Sequence, residues 1–185
     1  MKDKLSKEVY TQDEMIQTLR AGLTPILLGS GNFIYHGDQT IVAGEKVKLI
    51  VGGSALVYAW DSAFVQAYEF CTVDASGNTF VSASDEVEVC SHGNALVFAH
   101  ESAKVVAKGS GEVFADGDVM VNASDNVKVE ARDQATLYLF GEASAMAFDA
   151  VTVTGRDKNK IILQDVATFK KLGVSDTVDG EGDEQ

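Results

Sequence analysis

The chain has 185 residues and carries 28 acidic against 15 basic side chains, which gives a formal net charge of -13. A surface of this charge repels phosphate backbones and anionic lipid headgroups, so direct binding to nucleic acid or to a membrane is not expected. No apolar run reaches the roughly 20 residues that a membrane-spanning helix needs, and the polar first residues lack a secretory signal, so the sequence predicts a cytoplasmic protein.

Residues 1–28 are predicted to form an N-terminal capping segment. Thr11 and Glu14 have the T-x-x-E spacing of a capping box, which predicts a helix over about 12–21. Gly22 is placed to end this helix. Met15 and Leu19, together with the neighbouring Ile16, would form one apolar face that covers the first turn of the next segment.

Residues 29–164 divide into units of eight residues. From Gly53 the chain reads GSALVYAW, DSAFVQAY, EFCTVDAS, GNTFVSAS, DEVEVCSH and GNALVFAH, and it continues in this register without an insertion or a deletion. The third, fifth and seventh positions are small and apolar whereas the fourth and sixth vary, which is the alternation of a strand. The eighth, first and second positions collect Gly, Asp, Glu, Ser and Asn, which favour turns.

A fixed short period over most of a chain indicates a solenoid, because units this small bury their apolar side chains only against their neighbours. The connections are too short for helical crossovers, so consecutive strands lie on different walls of the coil, and each wall grows as a parallel sheet. Two walls would use 16 residues per turn and three walls would use 24. The small inward side chains favour two closely packed walls, so the prediction is an all-β parallel β-solenoid with 16 residues per turn.

Residues 165–185 are predicted to form a C-terminal cap and an acidic, disordered tail. Asp165 could begin a short helix that carries Phe169 and Leu172 and ends at Gly173. Caps of this kind are expected at both ends, because an open solenoid end exposes apolar core and unpaired strand edges.

The units resemble the octapeptide, GNAxV-like, short-period β-solenoid repeat proteins of bacteria and phages. GNALVFAH, GSALVYAW, DSAFVQAY and ESAKVVAK carry this likeness, which covers about residues 29–164. The resemblance implies an architecture and no particular chemistry, since that group shares a repeat and no common activity. Hexapeptide-repeat acyltransferases are also solenoids, but their unit is six residues long and their catalytic histidine lies in a loop insertion that this repeat does not offer.

One wall of a two-walled coil is predicted to carry an apolar patch on its outer surface. The five residues concerned stand at outward positions, where other units accept charged side chains, and they are Phe64, Phe80, Leu96, Phe98 and Phe114. Contiguous exposed apolar area is typical of a contact surface, so a protein partner or self-association is expected there. Cover of this wall by the ends of the chain is one alternative, and a wrong assignment of the repeat register is the other.

The edges of the coil carry the other candidate residues. Aromatic side chains at eighth positions could hold a sugar or shield a turn, and they are Trp60, Tyr68, Phe140 and Phe148. Glu69, Asp85 and Glu101 stack at first positions along one edge, where calcium could relieve their repulsion. A solvated acidic edge is the simpler interpretation of these carboxylates.

The sequence contains no recognisable catalytic or metal-binding constellation. His92 and His100 fall on opposite edges of a two-walled coil, and Cys90-x-His92 lacks a second ligand pair. Cys71 points inward and Cys90 outward, so no disulfide is expected between them.

These observations predict a non-enzymatic structural or protein-interaction module that needs no cofactor and can form homo-oligomers. The first alternative is an acidic mimic of nucleic acid, of the kind that phages encode, which would inhibit a nucleic-acid-binding protein. The second alternative is a solenoid that binds carbohydrate or acts as an adhesin.

Overall fold

The alternation within each unit of eight residues places small apolar side chains inside a parallel β-solenoid. The computed structural model describes residues 6–156 and 159–172 of the chain. In it, two parallel sheets of 11 and nine strands form the two walls of the coil. Val65 pairs with Val81 and Val97 with Val113, so the turn is 16 residues long, as predicted.

The eleven-stranded sheet contains, in spatial order, β1 (Ser6–Val9), β2 (Thr24–Leu27), β4 (Thr40–Ala43), β6 (Leu56–Ala59), β8 (Thr72–Ala75), β10 (Glu88–Ser91), β12 (Lys104–Ala107), β14 (Met120–Ala123), β16 (Thr136–Leu139), β18 (Thr152–Gly155) and β20 (Thr168–Lys171). The nine-stranded sheet contains β3 (Asn32–Gly37), β5 (Lys48–Gly53), β7 (Phe64–Ala67), β9 (Phe80–Ala83), β11 (Leu96–Ala99), β13 (Glu112–Ala115), β15 (Lys128–Ala131), β17 (Ser144–Ala147) and β19 (Ile161–Leu163). Chain order therefore alternates between the sheets from β2 to β20.

The core is a single column of buried side chains between the sheets. The central strand positions are fully or almost fully buried, for example Val65, Val81, Val97, Val113 and Val129. Alanine fills most seventh positions, which lets the two sheets approach each other closely. The predicted inward and outward faces of the repeat are therefore confirmed.

The predicted N-terminal helix is present as α1 (Gln12–Arg20). Thr11 is its N-cap, and the Glu14 carboxylate accepts hydrogen bonds from the backbone N–H groups of Tyr10 and Thr11. These N–H donors hold the pKa of Glu14 below its ordinary value. Within the described residues, no helix has the length and apolar character that a membrane crossing requires.

Helix α1 closes the N-terminal end of the coil. Met15 and Leu19 are buried in the same core cluster as Phe33 and Leu27, so the helix covers the first turn as expected. The parallel sheet also reaches into residues 1–28, because β2 pairs with β4 and β1 pairs with β2. The N-terminal segment therefore combines a helix with two further strands rather than acting as a helical lid alone.

Gln12 protects the exposed edge of the nine-stranded sheet. Its side-chain Nε2 donates to the Ile34 carbonyl oxygen at 2.8 Å, and its Oε1 accepts from the Ile34 N–H at 2.9 Å. One amide side chain thus pairs with β3 as a neighbouring strand would. An edge that is occupied in this way cannot template pairing with another chain at that residue.

The prediction of a C-terminal helix after Asp165 is wrong, because this segment contains a strand. Residues 165–172 form one more unit of the repeat, with Asp165 at the turn, Ala167 inward and β20 paired with β18. The sequence DVATFKKL keeps the repeat register through its fifth position, and strand pairing in that register outweighs its local helical preference. The predicted disordered tail, residues 175–185, lies outside the described residues.

Thr79 is the one side chain among the described residues whose buried oxygen lacks a hydrogen-bond partner. It occupies a third position, where most other units place Val or Ala. We expect Thr79→Val to raise the free energy of unfolding by about 1 kcal/mol, since it removes a buried unpaired hydroxyl at nearly constant volume. Thr136→Val, at a half-buried outward position, is the matched control. Equal midpoints for the two variants in urea denaturation would contradict this account.

We expect Gln12→Glu to lower the melting temperature and to cause end-to-end association, because a carboxylate cannot donate to the Ile34 carbonyl oxygen. The helix dipole alone predicts a higher melting temperature for Gln12→Glu, since an acidic residue in the first turn stabilises a helix. Gln17→Glu, on the exposed side of α1, is the control. The proposed edge protection is wrong if both variants melt and scatter light alike.

Candidate interaction surface

A stack of phenylalanine rings runs along the outer surface of the nine-stranded sheet. Ring centroids lie 4.6 Å apart for Phe64 and Phe80, 5.2 Å for Phe80 and Phe98, and 4.8 Å for Phe98 and Phe114. Leu96 pairs with Phe80 in the adjacent strand. The structure therefore brings together all five residues that the sequence assigns to the outer apolar patch.

The 16-residue turn explains this arrangement. Side chains at equivalent positions of successive turns lie side by side across a parallel sheet, one strand spacing apart, which is close to the ideal distance for stacked rings. The stack shifts from the fourth position in β7 and β9 to the sixth in β11 and β13. Each ring covers part of its neighbours, so the rings are half-buried rather than fully exposed.

Four further aliphatic residues extend the surface toward both ends of the sheet. Ile34 and Ile50 are 64% and 40% exposed, and Met146 and Ile162 are 40% and 53% exposed. They occupy sixth positions of their units, so the repeat register places them on the outer surface, beyond the central turns to which the predicted patch was limited. We use "apolar face" for these four residues together with Phe64, Phe80, Leu96, Phe98 and Phe114.

The apolar face also contains a shallow groove near its C-terminal end. The groove has a volume of about 350 Å³ and lies between Phe114, Met146 and Ile162. Glu112 and Lys128 flank it and form an ion pair at 3.2 Å. Charged side chains thus border the apolar residues in this part of the sheet.

The outer surface of the eleven-stranded sheet has a different composition. Threonine recurs at the fourth position in β8, β16, β18 and β20, and the aromatic side chains there are Tyr58 and Tyr138, which carry hydroxyl groups. Among the described strands, outward phenylalanine occurs only in the nine-stranded sheet. The two walls are therefore chemically unequal.

The first position of each unit has a left-handed backbone, with Gly37 as the exception among the described residues. Glycine adopts this conformation at seven of these turns, and acidic residues adopt it at nine, for example Glu69, Asp85 and Glu101 with φ of 63°, 62° and 61°. Non-glycine residues in this region cost about 1 kcal/mol or more, so something must compensate the acidic ones.

For eight of the nine acidic residues, all except Asp61, the compensation is a ladder of hydrogen bonds along each edge. The Glu69 carboxylate accepts from Gly53 N–H at 2.7 Å, the Asp85 carboxylate from Glu69 N–H at 2.9 Å and the Glu101 carboxylate from Asp85 N–H at 3.1 Å. Five other acidic residues make the same bond to the preceding turn, and they are Glu45, Asp125, Asp133, Asp149 and Asp165. We call this arrangement the carboxylate ladder.

The carboxylate ladder explains how the acidic side chains can stack along an edge without a bound metal ion. Glu69, Asp85 and Glu101 lie in one column, as predicted, but each points to the backbone of the preceding turn rather than to a common point. No group of three potential ligands converges anywhere in residues 6–156 and 159–172. The repulsion that motivated the calcium hypothesis is offset by N–H donors, which sequence reasoning missed because they belong to the backbone.

The edge aromatics are not brought together. Trp60 and Phe140 follow β6 and β16, which are five strands apart in one sheet, and Tyr68 and Phe148 follow β7 and β17, five strands apart in the other. The Trp60 indole lies over Gly44, where it covers a turn, and the Arg132 guanidinium lies 5.1 Å from the Phe148 ring centre. These contacts favour turn shielding over an aromatic platform for a sugar.

Each histidine contacts one carboxylate. His100 Nδ1 lies 2.7 Å from the Asp116 carboxylate, His36 Nε2 lies 3.1 Å from Glu69, and His92 Nε2 lies 3.8 Å from Asp74. His92 and His100 follow strands of opposite sheets, so they lie on opposite edges as predicted.

The two cysteines are both free. Cys71 is buried, and burial raises the pKa of its thiol, so it stays protonated near neutral pH. Cys90 is outward and only partly buried, so the two thiols are on different sides of the sheet.

Comparisons with protein-family models, with curated proteins and with solved structures found no match.

We expect Asp85→Ala to destabilise the protein more than Asp85→Gly does, by about 1 kcal/mol, because both lose the ladder bond but only alanine keeps the strained backbone. Glu86→Ala, at the adjacent exposed turn position, should change stability by less than about 0.5 kcal/mol. Urea denaturation of the three variants provides the measurement. Equal stabilities for the alanine and glycine variants at residue 85 would contradict a strained turn.

Proposed function

We propose that this protein is a non-enzymatic, rigid interaction module that binds protein through its apolar face. The observation that carries the proposal is the continuous stack from Phe64 to Phe114 on one outer wall. The repeat itself does not require these rings, since equivalent outward positions hold Glu88, Lys104 and Lys128. A role outside the fold is therefore the simplest reason for their presence.

The energetics of the face support binding. The rings are already ordered by stacking on one another, so a partner would not have to immobilise them, and the conformational cost of association is small. The aliphatic residues at both ends are substantially exposed and would release water on contact. The solenoid behind the face is held by parallel pairing along its whole length, which keeps the surface pre-organised.

Cover by the chain's own ends receives little support from the described segments. Helix α1 packs on β1, β2 and β3 at the first turn, and residues 159–172 extend the two sheets. Neither segment continues across the phenylalanine stack. The apolar face is thus available to another molecule as far as residues 6–156 and 159–172 are concerned.

The non-enzymatic part of the proposal is supported by the chemistry of the edges. No serine, threonine or cysteine side chain is hydrogen-bonded to a histidine in the part of the chain that the structure describes. A nucleophile without a base at hydrogen-bond distance lacks the usual means of activation.

The acidic-mimic alternative is less favoured because much of the acidity has a structural use. Eight carboxylates form the ladder and are directed at backbone N–H groups of their own chain. A mimic would instead present its charges to a basic partner, and its binding would weaken steeply as salt is added. Binding through the apolar face should change little over the same range of salt.

The test is retention of protein on the immobilised chain, with its own soluble copies included among the candidates. We expect Ile50→Ser combined with Met146→Ser to abolish retention, because it removes two exposed apolar side chains from the face. Val106→Ser combined with Met120→Ser is the matched control, since these residues are 38% and 41% exposed on the other sheet. Equal retention by both double variants, at unchanged melting temperature, would overturn the proposal.

A further inference from the structure

We propose that the partner of the apolar face is a second copy of this chain, packed face to face with its solenoid axis reversed. This inference rests on the proposed function and adds the identity of the partner and its orientation. The relevant feature is the distribution of side chains about β11, the central strand of the nine-stranded sheet.

The aliphatic residues of the face are arranged symmetrically about β11. Ile34 in β3 and Ile162 in β19 are four strands away on either side, and Ile50 in β5 and Met146 in β17 are three strands away. All four occupy the sixth position of their unit, so they lie in one column. A two-fold axis parallel to β11 would therefore place Ile34 against Ile162 and Ile50 against Met146.

Two-fold symmetry requires a surface that is complementary to itself. The same axis places Phe98 and Leu96 of one copy against the identical residues of the other, because β11 maps onto itself. It also places Phe80 beside Phe114, since β9 and β13 exchange positions. Apolar residues thus meet apolar residues along the sixth-position column at the centre and at both ends.

The charged residues of the face are compatible with this orientation. Each one meets an uncharged side chain, in the pairs Lys48 with Ser144, Phe64 with Lys128, Phe80 with Glu112, Gln66 with Glu130 and Asn32 with Lys160. No like charges face each other among these described residues. Lys128 would approach the Phe64 ring, which is a favourable cation–aromatic contact.

A face-to-face dimer in which the two solenoid axes run in the same direction is less favourable. A two-fold axis along the solenoid would put the fourth-position column against the sixth-position column of the same turn. Lys128 would then face Glu130, but Ile50 would face Lys48 and Ile162 would face Lys160. The exposed aliphatic side chains at both ends would therefore lose the apolar contacts that the reversed orientation gives them.

The size of the face suits a dimer. Nine strands at about 4.8 Å spacing make it about 40 Å long, and strands of four residues with their flanking turns make it about 15 Å wide. Two copies would then bury about 1,200 Å² in total, which is the lower limit for a specific, stable interface. Aligned packing also keeps strand directions within about 30° of each other, as is usual for stacked sheets.

The test uses chemical crosslinking of single-cysteine variants in a Cys90→Ser background, where the buried Cys71 is the remaining natural thiol. One variant carries Ile34→Cys and the other carries Ile162→Cys, both at exposed positions. We expect a short bismaleimide to link the two variants when they are mixed and not to link either variant with itself. In the reversed dimer, two copies of residue 34 are eight strands apart, or about 38 Å.

Crosslinks within either variant alone would overturn the reversed orientation. A single monomer mass at all concentrations in analytical ultracentrifugation would overturn the second copy as partner. That result would leave the proposed function intact if another protein is still retained by the wild type and lost with the Ile50→Ser, Met146→Ser variant. When self-association is present, this double variant should weaken it at least tenfold and the control on the other sheet should not change it.

Discussion

The strict 16-residue turn is the constraint on which the whole molecule depends. Each turn places a given position of the repeat directly beside the same position of the preceding turn. Residues at equivalent positions therefore form columns that run along the coil. Valine columns make the core and acidic columns make the ladder, and two short phenylalanine columns, at the fourth and the sixth position, meet to make the stack. An insertion of one residue would reverse the inward and outward faces of every following strand. The absence of any such change from Gly53 onward is what keeps these columns continuous.

The regular repeat requires a left-handed backbone at the first position of nearly every unit, which is energetically unfavourable for most residues. The fold avoids or offsets this cost in two chemically different ways. Glycine at Gly77 or Gly93 adopts the conformation without a side-chain penalty. Aspartate at Asp85 or Asp149 accepts the strain and offsets it with a charge-assisted hydrogen bond from a backbone N–H of the preceding turn. The acidic composition of the chain is therefore partly a consequence of its backbone geometry rather than of its binding properties.

Much of this architecture could be predicted from the sequence, because the repeat carries both the strand period and the turn positions. Val97 inward, Phe98 outward and the helix capped by Thr11 all follow from local patterns. The hydrogen bonds of Gln12 and Asp85 could not be predicted, since their partners are backbone groups 22 and 16 residues away in the sequence. The segment after Asp165 was misassigned because its helical preference is local, whereas its pairing with β18 is visible only in three dimensions.

The carboxylate ladder also has a direction. Each N–H donor lies 16 residues before its carboxylate acceptor, so the donor of one turn stays unpaired until the following turn has been added. Each later turn that begins with one of the eight ladder residues thus completes the edge of the turn before it, whereas a turn that begins with glycine supplies no carboxylate. The direction of the ladder therefore matches the order in which a ribosome delivers the chain, since each ladder residue supplies the acceptor for a donor that was synthesised earlier.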